Sequence, residues 1–354
     1  MTMTQAHKPS SQEENNYLPI KDFLLWAEQY EYKIPIEVKE LLLSFSWLKD
    51  TRALKCLLGS QLVKFLGLTE EQIELLSEIY LQFSPVVLKS LEDLESESSM
   101  FFSTGSKNVD RLLQGGIETG HLFEFAGPAA SGKTQLCYAS ILSCYSQNSE
   151  TLPGNSIIWI DTEHSLFPVK MHNAISDLKQ NSEHLFKFVR IRTLPEFLRA
   201  LLEMLLLCQS EYNIRLIVID SLIAPFNKHY KDYTARAQAL REILGFLKEV
   251  SHIFCCAIII TNQVRGAISD AEKETKQKFF PLGGFAFAHA TENRFLVEPL
   301  EGRRRKFKVL DSSYLPAGET IFCLGKEDYV NGEIITSTNK KEDSSIPKGK
   351  CVFD

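Results

Sequence analysis

The sequence predicts an α/β protein whose mostly parallel central sheet is flanked by helices, preceded by a small all-helical domain. Three observations predict it. Short, nearly continuous apolar runs alternate with amphipathic helical stretches between residues 121 and 261, the pattern of strands covered on both faces. A glycine-rich stretch, GPAASGKT at 127–134, lies between one such run and a helical one. From Ile20 to Phe83, by contrast, apolar residues recur at three- and four-residue spacing.

Composition narrows the class. A chain of 354 residues can bury one large core and still supply a smaller domain. No apolar run reaches the roughly 18 residues that a membrane span requires, so no membrane role is expected. The first residues, MTMTQAHKPSSQEENNY, lack an apolar h-region, and no secretory leader is expected. The eight cysteines are scattered without a C-x-x-C pair, which points to reduced thiols in the cytosol or nucleus. A net charge of −6 excludes a globally basic nucleic-acid coat but leaves room for a local basic groove.

The elements follow in order. Residues 1–17 are polar and aperiodic and are expected to be disordered. Residues 18–84 form the helical domain, with Phe23, Leu24 and Ala27, then Val38, Leu41 and Leu42, on apolar faces. In FLGLTEEQIELL (65–76), Thr69 with Gln72 three residues on is a capping box. Ile73, Leu76, Tyr80 and Phe83 share a face of the helix that follows. Pro85 ends it, and 85–100 reads as a charged linker. In the core, 101–324, HLFEFA (121–126), SIIWID (156–161), IRLIVI (214–219) and CAIIIT (256–261) read as strands. Phe197, Leu201, Leu205 and Cys208 mark one helix, and Leu240, Ile243, Leu244, Leu247 and Val250 another. RFLVEP (294–299), RKFKVL (305–310) and TIFCL (320–324) read as added strands or hairpins, and 325–354 as a polar tail.

The chemistry gathers at strand ends, where ligands of such sheets bind. Gly127, Pro128, Ala129, Ala130, Ser131, Gly132, Lys133 and Thr134 follow the strand HLFEFA and open the helical run KTQLCYASIL. That is the context of a P-loop, whose backbone N–H groups cradle phosphates at a helix N-terminus. Lys133 is placed to reach the β- and γ-phosphates and Thr134 to ligate Mg²⁺, so ATP and Mg²⁺ are the expected cofactors. Asp220, ending LIVIDS (216–221), is the acid that holds Mg²⁺ through water. WIDTEH (159–164) presents Asp161 and Glu163, and a carboxylate here can act as general base toward the attacking water. IITNQV (259–264) presents Asn262 and Gln263, and a Gln there can sense the γ-phosphate. Turn chemistry alone does not account for four polar strand ends in one sheet.

These residues resemble the RecA/RadA recombinase superfamily, in its eukaryotic and archaeal branch. The resemblance runs in order through 104–137, WIDTEHSLFP (159–168), LIVIDS, TNQV (261–264), PLGGFAFAHATENRF (281–295) and LDSSYLP (310–316). It implies a RecA-like P-loop ATPase core over 101–324 and a helix-hairpin-helix-like N-terminal domain. It also implies that Glu163 is the catalytic base and Gln263 the γ-phosphate sensor. His289 and Asp311 match positions that touch nucleotide bound to a neighbouring subunit. The first DNA loop would span about Asn227–Arg236, with Lys228, Lys231 and Arg236. The second would span about Arg265–Leu282, with Arg265, Lys273, Lys276 and Lys278.

The sequence also departs from that family. Its strand-exchange members carry a Phe-x-x-Ala tether after the helical domain; the segment SPVVLKSLEDLESESSMFF (84–102) has none. FLRA (197–200) fits the pattern but falls in a predicted core helix. In the second loop Asp270, Glu272 and Glu274 nearly cancel the basic residues, which weakens phosphate attraction. Ser313 stands where the family has Pro. The basic cluster RRRKFK (303–308) reads as an exposed hairpin. The departures point toward the recombinase paralogues. These are nuclear proteins that bind single-stranded DNA in heteromeric complexes, pairing with a second paralogue and helping to load or stabilise the main strand-exchange recombinase. Two other readings stay open: a self-polymerising recombinase, and a non-hydrolysing adaptor whose ATP only cements a subunit interface.

Overall fold

The computed structural model describes residues 17–59, 67–84, 99–146, 155–165, 186–210, 213–266, 278–324 and 330–335. The expected disorder of 1–16, most of the linker, Lys273, Lys276, the side chain of His289 and the tail beyond 335 lie outside the described residues.

The N-terminal helices are α1 (Ile20–Gln29), α2 (Ile36–Ser44), α3 (Thr51–Gly59) and α4 (Glu70–Phe83). The capping box that opens α4 is formed: Thr69 Oγ1 accepts from the Gln72 N–H at 3.3 Å, and Gln72 Oε1 from the Thr69 N–H at 2.9 Å. Leu76, Ile79 and Tyr80 are buried on its inner face, and Phe83 packs against Phe23 and Trp26 at 5.2 and 5.1 Å between ring centroids.

The remaining helices are α5 (Lys107–Leu112), α6 (Lys133–Ser146), α7 (Leu194–Cys208), α8 (Ile223–His229), α9 (Tyr233–Ile253) and α10 (Gly284–Ala290). The strands are β1 (Phe101–Phe102), β2 (Ile117–Glu118), β3 (Leu122–Ala126), β4 (Asn155–Asp161), β5 (Phe186–Arg190), β6 (Asn213–Asp220) and β7 (Ala257–Asn262), then β8 (Val264–Arg265), β9 (Phe280–Pro281), β10 (Asn293–Pro299), β11 (Arg304–Ser312), β12 (Glu319–Leu324) and β13 (Val330–Ile335). Nine of them form one sheet in the order β13-β12-β11-β10-β3-β7-β6-β4-β5. Its pairings are parallel from β10 through β5 and antiparallel from β10 to β13.

Alternate residues of each inner strand serve opposite cores, because a strand has a side-chain period of two. Ile158, Ile160, Ile217, Ile219, Ile258 and Ile260 face α7 and α9. Ile157, Trp159, Leu216, Val218, Ala257 and Ile259 face α6. Burial on both faces is why these segments read as unbroken apolar runs.

Two features differ from the sequence expectation. The helical domain is not a separate unit: Phe23, Leu24, Leu54 and Leu57 join α7 and α9 in one continuous core. Gln209, just past α7, seals the junction. Its carbonyl accepts from the Lys49 and Asp50 N–H groups at 2.9 and 3.1 Å, and its amide donates to Trp47 O at 3.0 Å. The sheet also runs past Leu324, because β13 pairs antiparallel with β12 inside what read as a polar tail. An edge strand draws on the backbone ladder more than on burial, so its sequence carries little apolar pattern.

Candidate nucleotide site

Register brings the functional strand ends together. Asp161 lies opposite Asp220, and Ala126, the last residue before the P-loop, lies opposite Asn262. Backbone bonds tie the turns beyond: Thr162 N–H donates to Asp220 O at 2.8 Å and Gly127 N–H to Asn262 O at 3.2 Å.

Asp220 is buried at the end of β6 and accepts three hydroxyl donors. Thr134 Oγ1 lies 2.9 Å and Ser165 Oγ 2.6 Å from Oδ2, and Thr261 Oγ1 donates to Oδ1. Burial pushes its carboxyl above the usual carboxylate value, while the three hydroxyls pull the other way. Lys133 turns its ammonium back onto the loop, donating to Gly127 O at 2.8 Å and Pro128 O at 2.9 Å. Burial lowers its pKa; Asp220 and Glu163 nearby oppose the shift.

The loop fits a polyphosphate. The buried Ser131 hydroxyl has no protein partner. Gly127 is required by close approach, since a Cβ there would lie 2.3 Å from Val297 O and 2.6 Å from Ser131 Oγ. The Thr134 hydroxyl beside the Asp220 carboxylate is an all-oxygen donor pair, suited to Mg²⁺.

Of the two acids after β4, the structure separates the roles. Asp161 is fully buried, accepting from the Ser165 N–H at 3.0 Å and from Arg190 Nε at 3.2 Å, and so holds the turn. Glu163 is exposed at the site mouth, where its Oε1 accepts from Ser221 Oγ at 2.7 Å and from Gln263 Nε2 at 2.6 Å. The structure therefore brings Lys133, Thr134, Glu163, Asp220 and Gln263 together. Asn262 instead points inward, its amide donating to buried Glu124 Oε1 at 2.6 Å and to Leu282 O at 2.8 Å. Asp311 is exposed toward the far end of β11, away from its own P-loop, and His289 lies on α10.

The expected first DNA loop is largely helical: Lys228 is in the last turn of α8, Lys231 in the short turn, and Arg236 in α9. The helices continue because Asp232 caps α9, its carboxylate accepting from the Ala235 N–H at 2.7 Å. Arg236 is engaged by Asn227 Oδ1 at 3.0 Å. The second loop rises from the β8–β9 ribbon, where Arg265 lies 5.5 Å from the Phe280 ring centroid and Lys278 is exposed.

Sequence reasoning missed Ser165, Ser221 and Thr261, ordinary hydroxyl residues that lie in or just beyond the polar strand ends. It missed Arg305 as well, read as part of a hairpin. Its guanidinium reaches Ala130 O of the P-loop at 3.4 Å, because β11 runs two strands from β3.

The Rad51 family model matches residues 96–331. The chain is 31% identical over 228 residues to the DNA repair protein Rad51 homolog of Drosophila melanogaster, covering 63% of this chain and 67% of that protein. It is 28% identical over 235 residues to the DNA repair protein RAD51 of Mycosarcoma maydis (65% and 69%) and 27% over 271 residues to the DNA repair protein RAD51 of Saccharomyces cerevisiae (74% and 68%). Family membership implies nucleotide binding with Mg²⁺. With a matched span that covers two thirds of the chain and includes residues 127–134, Glu163, Asp220 and Gln263, this chain belongs to the Rad51 family.

Proposed function

We propose that this protein is an ATP-binding recombinase paralogue that acts in the nucleus, in homologous recombination and double-strand break repair. In this reading it works within a heteromeric complex, beside a second paralogue, and helps load or stabilise the strand-exchange recombinase on single-stranded DNA. Its relatives are named as DNA repair proteins, which supports the process.

One asymmetry carries the finer reading. Among the described residues the sheet ends at β5, whose Phe188 and Val189 are 48% and 38% exposed. An apolar groove beside it is lined by Ile158, Ile160, Phe188, Ala200, Met204 and Leu207. Exposed apolar side chains on an outer strand beside an apolar groove suit an anchoring side chain from a neighbour. The chain's own segment 84–102 offers no Phe-x-x-Ala tether in return. A subunit that accepts a neighbour without offering the matching tether caps an assembly instead of propagating one. FLRA (197–200) does not supply the tether, because Phe197 is buried within α7.

Within the site, Lys133 and the P-loop N–H groups would hold the phosphates, and Thr134, with Asp220 through water, the metal. Bound Mg²⁺ would neutralise charge between the β- and γ-phosphates. Glu163 would orient and deprotonate water, while Gln263 would report the γ-phosphate to the second loop. Single-stranded DNA contacts would come from Arg265 and Lys278 with Lys273 and Lys276, and to a lesser degree from Lys228, Lys231 and Arg236.

Electron microscopy of the purified chain with ATP and single-stranded DNA tests this reading. Short or absent assemblies are expected, with a P-loop partner recovered on co-purification and lost on Phe188→Asp. Long homopolymeric filaments would refute it.

A further inference from the structure

The amino-terminal edge of the sheet, opposite the P-loop, carries a second group of chemistry-bearing side chains. His121 lies in the turn before β3, His252 in the last turn of α9, and Glu292 between α10 and β10. Among the described residues their ligand atoms all lie within 4.8 Å of one another. Glu292 Oε2 is 3.2 Å from His121 Nδ1, and its Oε1 is 3.0 Å from His252 Nε2. We propose that His121, His252 and Glu292 form a binding site for a divalent transition-metal ion of the zinc class.

The spacing suits such an ion. With metal–nitrogen bonds of about 2.0 Å, neighbouring ligands of a tetrahedral centre sit roughly 3.3 Å apart. The donor set, two imidazoles and one carboxylate, favours zinc-class metals over Mg²⁺ and Ca²⁺, which prefer all-oxygen shells. Solvent supplies the remaining position, since His252 is exposed and His121 half-buried.

The ligands are held before any ion arrives. His121 O accepts from the Ile258 N–H at 3.0 Å, and Glu292 O from the Ser313 N–H at 3.2 Å. The Tyr314 ring lies 5.3 Å from the His121 ring. Behind His121, its second ring nitrogen faces Glu118 Oε2 at 3.7 Å.

Lys248 is the competitor. Its ammonium lies 3.0 Å from Glu292 Oε1, the oxygen shared with His252. At 41% exposure it can withdraw into water, while Glu292, at 12%, stays in place. Lys248 and His252 are four residues apart on α9, so the helix presents an ammonium and an imidazole to the same carboxylate. In that arrangement the lysine tunes the site toward weaker, exchangeable binding. A bound ion would join three segments, α9, the start of β3 and the start of β10, and stiffen that end of the sheet.

The test uses the full chain with ATP and Mg²⁺ saturating the nucleotide site. Zn²⁺ is followed by calorimetry and Co²⁺ by its visible spectrum. One Co²⁺ per chain is expected, with d–d bands and no thiolate charge-transfer band, together with a rise in thermal midpoint. His121→Asn and His252→Asn should each abolish the spectrum in a protein whose circular dichroism is unchanged. Lys248→Met should tighten the affinity. A thiolate band, or a Co²⁺ spectrum that survives both histidine substitutions, would overturn the proposal. So would looser binding in Lys248→Met, or no binding at micromolar metal.

Discussion

Gln263 and Glu163, 100 residues apart in sequence, meet at 2.6 Å: the Gln263 amide donates to the carboxylate oxygen that also accepts from Ser221. The pair joins the turn after β4 to the entry of the second loop, since Gln263 O accepts from the Leu282 N–H at 2.9 Å where that loop returns. Glu163→Gln keeps the shape but removes the basicity. ATP turnover in the assembled complex should fall on the order of 100- to 10,000-fold, with nucleotide affinity retained in a fluorescent-analogue titration. Equal turnover would assign the base elsewhere.

Thr261 donates to Asp220 from within β7, in a place water cannot reach. Thr261→Val is nearly isosteric and leaves the buried carboxylate one donor short. A loss of about 1–3 kcal/mol is expected in denaturant unfolding of the nucleotide-free protein. Added Mg²⁺–ATP should recover part of it, because binding to the folded state alone stabilises that state.

Glu124 on β3 is fully buried and accepts from Arg294 Nε of β10 at 2.6 Å while holding Asn262 of β7. Arg294→Met strands the carboxylate and should cost about 3–5 kcal/mol. Adding Glu124→Gln removes the uncompensated charge, and the double variant should be more stable than Arg294→Met alone. A double variant no better than the single one would show that Arg294 matters by packing.

Gln209 sews the loop before α3 to the end of α7. Gln209→Leu preserves volume and removes its hydrogen bonds, for an expected loss of about 2 kcal/mol. Hydrogen exchange should quicken at the Lys49 and Asp50 amides first. Uniform acceleration through the core would contradict a local fastening.

Much of the fold was legible because its signals are local. The unbroken apolar runs of β4, β6 and β7 follow from burial on both faces, and the Thr69 box needs only four consecutive residues. The site was legible in part for the same reason: Lys133, Asp220 and Gln263 each end or follow a strand pattern that can be read alone. Spacing alone did not separate Glu163 from Asp161, and only the resemblance singled out Glu163; in the structure Arg190, 29 residues from Asp161, holds Asp161 in the turn. β13 and the helical character of residues 227–236 were missed where a backbone ladder and a side-chain cap, not apolar periodicity, carry the structure.

By itself, then, the sequence determined the layered α/β architecture, the phosphate loop and the set of strand-end polar groups. Periodicity and glycine placement express themselves over a few residues. Only the tertiary structure showed what holds Asp161 in its turn and that the helical domain shares one core with α7 and α9. It alone placed Arg305 at the P-loop and gathered two histidines and a glutamate at the opposite edge. Each depends on strand order and register, which bring residues 29 to 175 positions apart into contact and leave no trace in local spacing.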